Sequence, residues 1–225
     1  MLWKFRKELI LIIFIIISLI IIHNNRFFYK KEKTLYFPIK KNISVANLLK
    51  KEIQLENLLN LKKKYSSSHS HIIYAKVVEI SPWVFPSVIK INKGNSSGVK
   101  QGMTIINSSG YLVGRITNVF TNYATGITLF NKANRVSAVI PPVEEIGVIE
   151  GGNFPYIDMK FLPPQPNAKK GNIVQTSQYT QLFHPNIVIG QITKIFSSNN
   201  KLVTEALVKP FFYYSGFENV ALIKR

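Results

Sequence analysis

The chain has 225 residues, no cysteine and a formal charge of +18, from 29 Lys and Arg against 11 Asp and Glu. Without cysteine there is no disulfide framework, no thiol nucleophile and no cysteine metal site. Residues 1–64 hold 14 of the basic side chains and 4 of the acids, against 15 and 7 in residues 65–225; the denser charge flanks an apolar run and reads as juxtamembrane rather than nucleic-acid-binding.

Residues 1–8 form a short basic lead, and Leu9–Ile22, "LILIIFIIISLIII", is interrupted only by Ser18. Fourteen residues make a helix of about 21 Å, short of a hydrocarbon core of about 30 Å, so a signal-peptide h-region competes with an anchor. No small-x-small cleavage pattern follows Ile22, and aromatics flank both ends: Trp3 and Phe5 before, Phe27, Phe28 and Tyr29 after. Such belts sit at the two headgroup layers. A retained single-pass anchor over residues 9–28 is therefore expected. Basic residues lie on both sides of it, so charge counting leaves its orientation open.

Residues 29–71 form a juxtamembrane segment. Within it Ser44 caps a predicted helix to about Lys64, with Val45, Leu48, Ile53, Leu55, Leu58 and Leu59 as its apolar stripe. Two or three heptads fit. The stripe suits either packing on its own protein or pairing with a second copy. "YSSSHSH", Tyr65–His71, reads as a linker.

From Ile72 the periodicity changes to short β-branched runs: "IIYAKVVEI", "SVIKI", "MTII", "LVGRITNVF", "GITLF", "RVSAVI", "GVI", "NIVQT", "IVIGQITKIF", "VTEALV" and "NVALI". Gly, Pro, Asn or Ser separates most of them, which predicts a mainly antiparallel β region over 72–225. "VGRITNVF" (Val113–Phe120) and "IGQITKIF" (Ile189–Phe196) match, with Gly114/Gly190, Ile116/Ile192, Thr117/Thr193 and Phe120/Phe196 in register. Upstream, "KQGMTI" resembles "KKGNIV". A strand–turn–strand unit used twice predicts two related small β-barrels, either sequential with a division near 141 or nested.

Catalytic constellations are sparse. "KGNSSGVKQG" does not follow the spacing of a phosphate-binding loop, which needs Gly-Lys-Ser/Thr entering a helix. Asp158 is the only aspartate, and no Gly-x-Ser-x-Gly elbow occurs. His69 and His71 lack nearby carboxylates, which leaves a poor metal set. An enzyme, a cofactor and a metal are thus not expected; an acid–base or nucleophilic site would need Asp158 beside a histidine and a serine. "PFFYYSGF" (Pro210–Phe217) has few interleaved basic residues, so no nucleic-acid partner is expected. Strand alternation instead predicts that Trp83, Phe85, Phe211, Phe212, Tyr213 and Tyr214 are partly exposed as protein contacts. Gly94, Gly98, Gly102, Gly110, Gly114, Gly171 and Gly190 are predicted to be turn glycines.

The order of anchor, short leucine helix, "VIKINKGNSSGVKQGMTIINSSGYLVGRI", "NRVSAVIPPVEEIGVIEGG", "KKGNIVQTS" and "IVIGQITKI" resembles the MreC family of bacterial rod shape-determining proteins over nearly the whole chain after the anchor. Arg115, Gly147, Gly151, Thr176 and Ser177 fall on the family's pattern with the glycines above. Asn172, Gln178 and Asn186 depart from it, Asn186 being a residue that still tolerates positive φ. The resemblance implies a single-pass protein of the bacterial inner membrane with its carboxy-terminal part outside it. It implies a non-catalytic scaffold of cell elongation that self-associates. Its implied partners are an elongation-specific penicillin-binding transpeptidase, the MreD membrane protein and the MreB filament. A periplasmic adaptor of a transport or secretion system also combines anchor, helix and barrels, but such adaptors need a long helical hairpin.

Overall fold

A computed structural model of the chain describes residues 48–53, 55–57, 60–61, 63, 72–82, 85–179, 181–197, 203–212 and 218–224. The predicted basic lead, the anchor over 9–28, the first part of the juxtamembrane segment and the linker over 65–71 lie outside them. No helix among the described residues is long and apolar enough to cross a membrane. The described residues between 48 and 63 are helical. Leu48, Leu49, Ile53 and Leu55 of that stretch are exposed, whereas Leu61 is buried.

Twelve strands follow: β1 (Ile72–Ser81), β2 (Val88–Ile91), β3 (Thr104–Asn107), β4 (Leu112–Val119), β5 (Ala124–Thr128), β6 (Arg135–Ile140), β7 (Glu145–Glu150), β8 (Ile157–Leu162), β9 (Ile173–Thr176), β10 (Val188–Ser197), β11 (Thr204–Pro210) and β12 (Asn219–Ile223). They close into two six-stranded antiparallel barrels, one in the order β1-β12-β3-β4-β5-β2 and the other β10-β11-β8-β7-β6-β9. Closure leaves neither barrel a free strand edge. The second barrel lies wholly between β5 and β12 of the first, so the two are nested. A division near 141 does not exist, because β6 already belongs to the second barrel.

Alternation explains most of the cores. In β6, β9 and β11 buried positions alternate with half-buried or exposed ones, as expected of strands with one face inward. β3 is buried at all four positions, and its Thr104 Oγ1 accepts from the backbone N–H of His184, in the β9–β10 connection, at 3.0 Å. One outer face of the first barrel is therefore covered by the second. β8 is missing from the runs read in the sequence because Asp158 and Lys160 interrupt its apolar character.

Placing β4 on β10 superposes the two ring orders: β1 to β5 correspond in sequence to β7 to β11, and every neighbour pair is matched. Only the sixth strand differs, being supplied after the others in the first barrel (β12) and before them in the second (β6). The repeated octapeptides occupy the equivalent strands β4 and β10 and make equivalent bonds. Gly102 N–H donates to Ile116 O at 2.9 Å and Gly171 N–H to Ile192 O at 2.8 Å; Leu129 N–H donates to Val113 O and Phe211 N–H to Ile189 O. Each strand slips register at the shared threonine, whose hydroxyl donates across the bulge, Thr117 to Thr125 O at 3.2 Å and Thr193 to Leu207 O at 2.9 Å. The threonine hydroxyl thus bonds where the bulge interrupts the ladder.

The glycines divide by mechanism. Gly102 and Gly171 sit in the same left-handed turn at φ 83° and 97°, and Gly98 and Gly110 are turn residues too. Gly94 opens the turn between β2 and β3, its carbonyl accepting from Ser97 N–H at 3.0 Å, whereas Gly114 and Gly190 are not turn residues, which corrects their assignment. Gly94 has extended backbone, and Gly114 and Gly190 lie inside β4 and β10. A Cβ at Gly114 would stand 1.9 Å from Ile127 O, one at Gly190 2.2 Å from Lys209 O, and one at Gly94 2.2 Å from Phe120 O. These three are absent side chains that let backbone approach backbone. Asn186 takes φ 59°, as its type allows.

Candidate protein-contact surface

The aromatics singled out in the sequence do not share one fate. Trp83, Tyr213 and Tyr214 lie outside the described residues. Phe212 is 3% exposed and packs on Phe130 with ring centroids 5.2 Å apart, so its expected exposure is corrected. It follows the end of β11 in a connection between barrels, where strand alternation has no hold. Phe85 is half-buried, its ring edge-on to Phe154 at 5.6 Å and 82°. Phe211 is half-buried against Tyr111, 5.2 Å away.

Phe85, Phe130, Phe154 and Phe212 come from four different connections: β1–β2, β5–β6, β7–β8 and β11–β12. Phe130 touches the other three, meeting Phe154 nearly at right angles (5.0 Å, 77°) and Phe85 at 6.2 Å. The two chain crossings between barrels are thereby packed into one aromatic cluster. Thr128, fully buried, ties the same place together: its hydroxyl donates to Pro86 O and accepts from Phe130 N–H, and its carbonyl accepts from Asn134 Nδ2 at 3.0 Å. This cluster holds one barrel on the other and is frame rather than contact surface.

Two exposed apolar side chains on the second barrel were not foreseen. Phe161 is 64% exposed although Ile157 and Met159, on its expected face, are fully buried. It has φ 65°, a left-handed conformation that costs a bulky residue about 1–3 kcal/mol. The cause is a bulge: Thr204 and Ala206 of β11 pair with Leu162 and Met159 of β8, so one extra residue is accommodated between them. The bulge turns an aromatic ring from the core side to solvent. On the adjacent strand β7, Ile146 is 44% exposed. No sequence signal marks the bulge, since "IDMKFL" alternates as an ordinary strand would.

Lys160, beside Phe161, is held in place by charge. Its ammonium lies 2.6 Å from Glu150 on β7, which also meets Arg135 on β6 at 3.0 Å. The Lys160 hydrogen bond, ahead of the smaller Arg135 contribution, holds the Glu150 carboxyl below its usual range, and the same bond raises Lys160. Because Glu150 titrates lower when folded than when unfolded, its contribution is present above about pH 4.3 and is lost as pH falls through the folded value. Glu150→Gln is expected to cost under about 1 kcal/mol at neutral pH, Lys160 being about a third exposed. It should also flatten the decline in stability between about pH 5 and pH 3; thermal melts across that range read both.

Among the described residues no group of three or more His, Asp or Glu side chains is placed to hold a metal ion. Asp158 accepts a hydrogen bond from Asn153 Nδ2 at 3.2 Å, and His184 Nδ1 lies 3.0 Å from Pro185 O in the β9–β10 connection.

The family model described as "Rod shape-determining protein MreC, barrel core" matches residues 77–224. The cell shape-determining protein MreC of Listeria monocytogenes is 30% identical over 186 residues, which cover 80% of this chain and 62% of that protein. The chain thus spans about three fifths of that relative's length. A solved structure of MreC from Listeria monocytogenes superposes with a TM-score of 0.64 at 27% identity, covering 83% of this chain and 94% of that one. A solved complex between a penicillin-binding protein and MreC from Helicobacter pylori matches with a TM-score of 0.58 at 16% identity, over 69% of this chain and 98% of that one. At that identity the likeness is one of fold.

Proposed function

The chain belongs to the MreC family of rod shape-determining proteins, and from that premise we propose that it is a membrane-anchored, non-catalytic scaffold that maintains cell shape by holding a penicillin-binding transpeptidase of elongation. The observation that carries the contact is Phe161: a strained bulge that exposes an aromatic ring, with Ile146 exposed on the adjacent strand and Lys160 fixed by Glu150. Exposed aromatics on rigid elements are the side chains that most often dominate protein interfaces, and a bulge that re-aims a side chain at a cost in strain is a common functional device. The penicillin-binding partner of the Helicobacter pylori protein supports the choice of partner class.

Anchoring in the bacterial inner membrane follows in this reading from the apolar segment over 9–28. Self-association follows from the exposed Leu48, Leu49, Ile53 and Leu55 of the helical segment. Contacts with MreD and MreB type partners belong to the same scaffold role. Family membership displaces the adaptor reading.

Depletion of the protein in its host should round or widen the cells, and wild-type protein should restore rods. Phe161→Gly removes the ring and relieves the backbone, so it should melt at the same temperature or up to about 1 kcal/mol more stably yet fail to restore shape. Full rescue by Phe161→Gly would remove this surface from the proposal; unchanged morphology on depletion would remove the shape function.

A further inference from the structure

At one end of the first barrel the β4–β5 hairpin carries Phe120 and Tyr123, two rings stacked 4.4 Å apart at 18°. Both are exposed, Phe120 at 44% and Tyr123 at 36%; Tyr123 lies between Phe120 and the Lys90 ammonium, so Phe120 presents the outer ring face. They form a ridge between two depressions. The larger, of about 970 Å³, is lined by Asn95, Lys100, Gln101, Thr117, Asn118 and Asn122 together with the two rings. The smaller, of about 320 Å³, shares Asn118 and the rings and adds Lys90, Glu79 and Thr125.

The walls are fixed before any ligand arrives. Asn95 and Ser96, in the short 3-10 turn Asn95–Ser97, donate backbone N–H groups to Phe120 O and Thr121 O at 2.9 and 3.0 Å. The Ser96 hydroxyl donates to Thr121 O at 2.8 Å. Gly94 makes this approach possible, since any Cβ there would strike Phe120 O. On the far side Lys90 Nζ lies 4.6 Å over the Tyr123 ring and 3.8 Å from Glu79.

The lining selects a ligand class. Four primary amides offer both donors and acceptors in fixed pairs, an aromatic ridge offers an apolar face, and the larger groove holds one ammonium and no carboxylate. An anionic polymer would need several cations along its track. A peptide added as a further strand would need a free strand edge, and a closed barrel has none. Sugar rings match: their C–H faces stack on aromatic rings, and their hydroxyl and acetamido groups exchange paired hydrogen bonds with side-chain amides. We propose that this groove on the first barrel binds a neutral, N-acetylated glycan chain, with Phe120, backed by Tyr123, as the stacking platform and Asn118 and Gln101 as polar anchors.

The site lies on the barrel opposite to Phe161, so it stands or falls independently of the partner contact. The test titrates the full chain in detergent with a β-1,4-linked N-acetylglucosamine hexamer, reading heat and intrinsic tyrosine fluorescence, with maltohexaose and polyphosphate as comparisons. Saturable binding of the hexamer at about 1 mM or tighter is expected, with no matching affinity for the other two. Phe120→Ala should weaken it about tenfold or more at unchanged melting temperature, and Phe120→Trp should retain it. Absence of saturation by about 10 mM, equal binding by Phe120→Ala, or tighter binding of polyphosphate would each overturn the proposal.

Discussion

Replacing Phe130 by Ala is expected to lower stability by about 3–5 kcal/mol and the melting temperature by roughly 10 °C. Phe130 is 4% exposed and touches three other rings, each from a different connection. Truncation empties the centre of the inter-barrel cluster, and the surrounding backbone is bonded through Thr128 and so collapses little into the cavity. The loss should also fall unevenly. Each barrel closes through its own ladder, whereas the packing of one barrel on the other depends on this cluster and on the His184–Thr104 bond. Distances measured between spin labels on the two barrels should therefore broaden in Phe130→Ala while β content is kept. Phe130→Leu should recover most of the stability. An unchanged melting temperature in Phe130→Ala would show that the cluster is not what holds the barrels together.

A second large effect is expected at Gly114 and Gly190. A methyl group at Gly114 would overlap Ile127 O at 1.9 Å, with Ile127 C and Thr128 Cα both at 2.8 Å. All three are backbone atoms of the neighbouring strand, so no rotamer change relieves the clash; the strands must part and lose ladder bonds. Gly114→Ala and Gly190→Ala should each cost about 3 kcal/mol or more, at or beyond the usual upper end for overpacking. Gly102→Ala is the contrast. It has φ 83° but nothing within 4 Å of its added methyl, so only the left-handed penalty of about 1–2 kcal/mol applies. Chemical denaturation of the three variants orders them; Gly102→Ala as the most damaging would contradict the close-approach account.

These positions show how much of the fold the sequence carried. The octapeptide repeat was legible because the two barrels reuse one strand with the same glycine, threonine bulge and hydrogen bonds. What the glycines do was less so: turn and close approach select the same residue type for different reasons. Nesting was not legible, because the apolar runs of β6 and β12 would suit either barrel, and only the pairing of β12 with β1 and β3 assigns it. The contact surface was the least legible part. Phe212 lies just past a strand, where alternation stops applying, and is buried. Phe161 lies inside a strand, where alternation predicts burial, and a one-residue bulge exposes it. Both outcomes turn on local register, which residue identity alone does not encode.

The central claim is capture of a penicillin-binding transpeptidase through the β7–β8 face of the second barrel. Its most direct test is affinity capture of the full chain from native host membranes, comparing wild type with Phe161→Asp and Ile146→Asp in one chain. The expected result is a penicillin-binding transpeptidase recovered with wild type and lost with the double variant, at matched protein level and unchanged melting temperature. Equal recovery of the transpeptidase by both, or an exporter and channel in its place, would contradict the account.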